Sequence, residues 1–206
     1  MDRRSHLFWL ALVVTAAPTL FAQAQRREPI APAAVRAMTK DAEAEARGDK
    51  SEVVLGLDRR ARARWGDFES FPVTIVRRED LSIILSTPLM TYRRTLAEYL
   101  RMGDALERIP WIPTAVVTIS PSRLESPDIV RVVVERGGKP VPPAENLLKP
   151  MAFTNGSGDS ARIHAGEVRF PMSAFAPGAP VKITAVPASG ESFVYELDDS
   201  QLGTLR

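Results

Sequence analysis

The sequence predicts an α+β protein, predominantly β, in which a C-terminal immunoglobulin-like β-sandwich follows a small α+β segment. Three observations predict it. From Thr114 onward, short apolar runs alternate with turn clusters rich in Pro and Gly. Just before them, one stretch after Pro88 repeats its apolar residues every three to four positions. The 206 residues are 45% hydrophobic and 25% charged, which suffices for a buried core and excludes a disordered tail.

Residues 1–24 read as a secretory signal: Arg3 and Arg4 supply a positive start, Leu7 to Phe21 an apolar stretch, and Ala22-Gln23-Ala24 a small-x-small cleavage site. The stretch is short for a membrane span and is interrupted by Pro18. The expected product is therefore periplasmic or secreted, with no stable membrane span after cleavage.

Residues 25–50 form a leader. Pro32 suits a first helical turn and Gly48 an end, with Val35, Met38, Ala42 and Ala46 at helical spacing. So small an apolar face leaves a docked and a frayed helix both open.

Residues 51–113 are read as the α+β segment. Val53, Val54, Leu55 and Leu57 make a β-like run, and Val73 to Ser86 a hairpin that turns at Arg77-Arg78-Glu79-Asp80. Thr87 then caps a helix over 88–107 with Pro88 in its first position, and Leu89, Tyr92, Leu96, Tyr99, Leu100 and Leu106 line one face. The opposite face, with Arg93, Arg94, Glu98, Arg101 and Asp104, reads as solvated.

Residues 114–206 are read as the sandwich, with strands at Ala115–Ser120, Ile129–Arg136, Arg162–Phe170, Val181–Pro187 and Ser192–Leu197. Within the third of these, Val168 and Phe170 are out of phase with Ile163 and Ala165, which places a bulge or tight bend at Gly166. At about ninety residues, this part is expected to fold alone.

The absence of cysteine excludes disulfides, thiolate metal sites and a cysteine nucleophile. A formal charge of +2 gives no composition-level reason to expect nucleic-acid binding. Beyond the signal there is one histidine, His164, which is too few for a zinc site, and Asp198-Asp199 is not a calcium loop. No metal and no cofactor are expected. Without G-x-S-x-G, His164 reads as an ordinary strand residue, and Gly156-Ser157-Gly158-Asp159-Ser160 as a turn. No catalytic residue is assigned.

Two surfaces remain as candidates. On a strand, Arg60, Arg62 and Arg64 share one face while Ala61, Ala63 and Trp65 share the other. Such a ridge suits an acidic protein or acidic polymer of the cell envelope, although a solvated strand face or protected edge with Trp65 packed inward explains it more simply. Trp65, Phe68, Phe71 and Trp111 form an aromatic set, from which Trp65 and Trp111 are candidate ligand contacts for a carbohydrate-binding module. A glycoside-acting enzyme would instead need two converging carboxylates from among Glu125, Asp128, Glu135, Glu167 and Glu191. The leading reading is an exported, non-catalytic protein with a structural or protein-interaction role.

Overall fold

A computed structural model describes residues 31–205; the expected signal and its cleavage point lie outside them. Helix α1 (Ala33–Glu45) and helix α2 (Ser51–Trp65) come first. The hairpin β1 (Val73–Arg77) and β2 (Leu81–Ser86) follows, then helix α3 (Pro88–Met102). The remaining elements are β3 (Thr114–Pro121), β4 (Ile129–Arg136), β5 (Lys139–Val141), β6 (Glu145–Asn146), β7 (Lys149–Thr154), β8 (Ser160–Pro171), β9 (Val181–Pro187), β10 (Phe193–Leu197) and α4 (Asp199–Thr204), with short 3-10 helices at Leu106–Arg108 and Met172–Phe175. No helix among the described residues is long and apolar enough to cross a membrane.

The strands make two antiparallel sheets. The larger runs β1-β2-β3-β8-β6, with β7 also paired to β8, and the smaller runs β10-β9-β4-β5. One core joins them: Leu81, Ile83 and Leu85 of β2, Val117 and Ile119 of β3 and Phe170 of β8 pack with Val134 of β4 and Ile183 of β9. Alternation carries this arrangement, since every second residue of a strand points the same way; β9, for example, buries Val181, Ile183 and Ala185. Strand and helix occupy about 35% and 32% of the structure, so the fold is α+β, with strand and helix near parity where β was expected to predominate.

Most of the difference comes from α2. The run over 53–57, expected as a strand, belongs to a 15-residue helix. Val53, Leu57 and Ala61, spaced four apart, are buried along one face of it. Leu, Ala and Arg are strong helix formers, and that face found a partner, whereas a strand there would have had none. Asp49 accepts the Ser51 backbone N–H at 2.9 Å before the first turn, and Gly66, at φ +74°, ends the helix.

The α1 leader is docked. Val35, Met38 and Ala42 join Val53, Leu57 and Ala61 of α2 and Leu89, Tyr92 and Leu96 of α3 in a second core. Helix α3 spans the two cores, because Met90 belongs to the sheet core and Leu89, Tyr92 and Leu96 to the helical one. Its start is fixed by Thr87, whose hydroxyl accepts the Met90 N–H, and it ends at Gly103 in the left-handed conformation, short of the expected residue 107. The helical layer therefore sits against the larger sheet through α3, which contacts β2 and β3.

Hydrogen bonding crosses the expected boundary between residues 113 and 114. Strand β2 pairs with β3 from Leu81↔Pro121 to Ser86↔Val116. Ser122 donates its hydroxyl to the Glu79 carbonyl at 2.8 Å, and the Glu69 N–H reaches the Thr204 carbonyl at 2.9 Å. At Gly166 the phase changes as expected: Ile163 and Ala165 are buried before it, Val168 and Phe170 after it. There β8 gains β3 along one edge, over residues 166–171, while its other edge pairs with β7 over 160–165 and with β6 at 168 and 169.

Candidate functional site

Because α2 is a helix, the arginine ridge is divided. Successive residues turn by about 100° on a helix, so Arg60 and Arg62 point to different sides. The ridge expected on one strand face does not form. Arg60 turns toward α1, hydrogen-bonding Glu45 and lying 3.7 Å from Asp41. Arg62 and Arg64 are exposed and make no ion pair among the described residues; the Arg64 guanidinium lies 5.9 Å from the Trp65 ring centre. Arg62 lines a shallow cavity of about 500 Å³ at the end of α2, together with Asp67, Glu69 and Thr204.

The two tryptophans do not form an exposed platform. Both are half-buried against the helical core, and Trp111 packs on Tyr92 with ring centres 5.8 Å apart and planes tilted by 59°. Of the aromatic set, Phe71 is the exposed member, at 62%.

A cleft that the sequence reading did not anticipate lies between α2 and α3. The Arg93 Nε donates to Asp58 Oδ2 at 2.8 Å, joining the two helices midway. The helices run antiparallel from that contact, so Lys50 and Ser51 at the start of α2 meet Leu100 and Arg101 at the end of α3 around a cavity of about 470 Å³. Val54, Leu55 and Ala97 complete its walls, and Leu55 is 52% exposed. Arg93 is held from a second side by the Phe71 ring, 5.0 Å from its guanidinium carbon. Its terminal nitrogens have no hydrogen-bond partner among the described residues, and neither Lys50 nor Arg101 has an acidic partner there.

Burial raises the Asp58 carboxyl above the ordinary carboxylate range; the hydrogen bond and charge of Arg93 and the charge of Arg62 oppose the shift without cancelling it. A carboxyl raised on folding contributes stability that is fully present below its unfolded value, near pH 4, and lost as pH rises through the folded value. The melting advantage of the native protein over Asp58→Asn is therefore expected to be larger at pH 3.5 than at pH 6.5. Paired thermal melts at the two pH values check this, and an advantage that grows with pH would mean that the Arg93 ion pair dominates.

The other polar constellations are paired with one another or with backbone. His164 Nδ1 lies 2.8 Å from Asp128 Oδ1, and the same oxygen accepts the His164 backbone N–H at 2.7 Å, tying β8 to the segment before β4. Among the carboxylates weighed for glycoside chemistry, Asp128 thus meets His164, Glu135 meets Lys182 at 2.6 Å, and Glu167 meets Arg169 at 3.2 Å. Asn155 organises the 155–160 turn by accepting the Ser157 and Asp159 N–H groups. Asp198 caps α4, and Asp199 accepts the Gly178 N–H. No group of three or more metal-ligating side chains occurs among the described residues.

Arg93, Arg101 and Leu55 are the residues that sequence reasoning passed over. Arg93 and Arg101 read as part of a solvated face, and Leu55 as part of a strand. The available signal was the i, i+4 spacing of Val53, Leu57 and Ala61, which makes 51–65 a helix and gives α3 a partner. No family model matches the chain, and no curated protein or solved structure matches it.

Proposed function

We propose that this chain is an exported, non-catalytic protein of the periplasm or cell exterior, acting in a structural or protein-interaction role. In this reading the two antiparallel sheets are an immunoglobulin-like scaffold, and the helical layer is the face offered to an acidic protein or acidic polymer of the envelope. The observation that carries it is charge distribution: α2 and α3 hold seven arginines against three acidic residues, on a chain whose formal charge is only +2. Of these arginines, Arg62 and Arg64 stand exposed and make no ion pair among the described residues. The paired state of Asp128, Glu135 and Glu167 and the packing of Trp111 on Tyr92 favour this reading over a carbohydrate-binding or glycoside-acting one.

The test separates binding from folding. Crosslinking in the native envelope should recover an acidic partner, and Arg62→Ala with Arg64→Ala should lower the yield severalfold and flatten its salt dependence. The same pair should change stability by less than about 0.5 kcal/mol, as surface substitutions do. Arg60→Ala should instead lower the melting temperature, because Arg60 holds α1 to α2. Unchanged recovery with the double variant would refute the role of this face.

A further inference from the structure

We propose that the cleft between α2 and α3 binds an anionic amphiphile, an acidic head group on a single apolar chain. This goes beyond the acidic-partner reading and does not depend on it, since neither Arg62 nor Arg64 lines the cleft. The cleft presents two kinds of surface at once. Val54, Leu55 and Leu100 offer an apolar wall, and Lys50, Arg93 and Arg101 converge on the same space of about 470 Å³. That volume is within the range of small-ligand pockets, which are mostly apolar with a few converging polar groups.

The cations are uncommitted in different ways. Lys50 and Arg101 lack acidic partners among the described residues. Arg93 is fixed through its Nε by Asp58 and through its face by Phe71, which leaves its two terminal nitrogens available. A guanidinium held in that way is oriented in advance for a carboxylate or phosphate, because the two terminal N–H groups form a planar fork. The opening of α2 is not the anion site: Asp49 already accepts the Ser51 N–H and hydroxyl at 2.9 and 2.7 Å. The head group would be held by side chains, with its chain against Leu55 and Leu100. A purely polar anion would leave the apolar wall wet, and a purely apolar ligand would desolvate the cations without a counter-charge.

Calorimetric titration of the full chain with decanoate and with decyl phosphate, both as monomers, tests the proposal. Saturable 1:1 binding is expected. Acetate and inorganic phosphate, which have the head without the chain, should bind at least about tenfold more weakly, the size of about two buried methylenes; decyltrimethylammonium, which has the chain with the opposite head, should do the same, the size of one lost charge-assisted hydrogen bond. Lys50→Glu with Arg101→Glu, by removing charge-assisted hydrogen bonds, and separately Leu55→Asp, by removing apolar contact with the chain, should each weaken decanoate binding by about the same factor. All three residues are exposed, so the fold should persist, as circular dichroism can verify. Cosedimentation with phosphatidylglycerol vesicles, set against phosphatidylcholine vesicles, distinguishes a lipid head group in a bilayer from a free amphiphile. Loss of binding in Arg62→Ala/Arg64→Ala but not in the cleft variants would overturn the proposal. So would failure of every anionic amphiphile to saturate, or equal affinity for decanoate and acetate.

Discussion

Gly166→Ala is expected to destabilise the protein by about 3–5 kcal/mol, a fall in melting temperature on the order of 10 °C for a chain of this size. Gly166 has φ +132°, a conformation closed to residues with a Cβ. A Cβ built there would lie 2.5 Å from the Leu147 carbonyl oxygen and 3.3 Å from its carbon. Both neighbours are backbone, so no side chain can swing aside. Leu147 is itself held by its N–H to the Glu167 carbonyl at 2.8 Å, and relieving the contact means moving that segment off β8. Gly158→Ala is the control: φ there is +89° with nothing within 4 Å of the added carbon, so it tests backbone strain alone, at roughly 1–3 kcal/mol. Thermal melts of the two variants should differ clearly. Equal losses would mean that Leu147 does not press on β8 as described.

The same glycine shows how far local pattern reaches. The phase break between Ala165 and Val168 is visible in the sequence because burial alternates along a strand, and one extra residue reverses the alternation. The hairpin at 73–86, β4 and β9 were legible for the same reason, each having one face buried in the core, and the start of α3 was legible from the cap residue Thr87 and Pro88 after it. Strand β7 was not legible, because four of its first five residues are exposed and it contains Pro150, so neither alternation nor propensity marks it. Helix α2 was misread because Arg-Ala-Arg-Ala-Arg imitates a two-residue period, while the buried positions at 53, 57 and 61 follow a helical one. That misreading hid the cleft as well. Lys50, Arg93 and Arg101 are far apart in sequence, and only the antiparallel packing of α2 on α3 brings them together.

A fragment spanning 114–206 is expected not to fold on its own, whereas one beginning at Val73 should. Truncation at Thr114 removes β2, and with it Leu81, Ile83 and Leu85, each at most 1% exposed and packed in the same core as Ile129, Phe170 and Ile183. Met90 of α3, at 2% exposure, is lost from that core too. At about 1.5–3 kcal/mol for each large apolar side chain, the four account for roughly 6–12 kcal/mol, comparable to the whole stability of an ordinary domain. The truncation also strips β3 of the neighbour to which it pairs over six residues, leaving an open apolar edge in the middle of the larger sheet. A fragment from Val73 keeps β1, β2 and α3 and forfeits only the α1–α2 side of the helical core, exposing Leu89, Tyr92 and Leu96. It should therefore give dispersed β-type NMR shifts and a cooperative, lowered melt, while the shorter fragment gives neither. A cooperative melt from 114–206 would show that β3 through β10 hold a sufficient core by themselves, and that a domain boundary falls at residue 113 despite the hydrogen bonds that cross it.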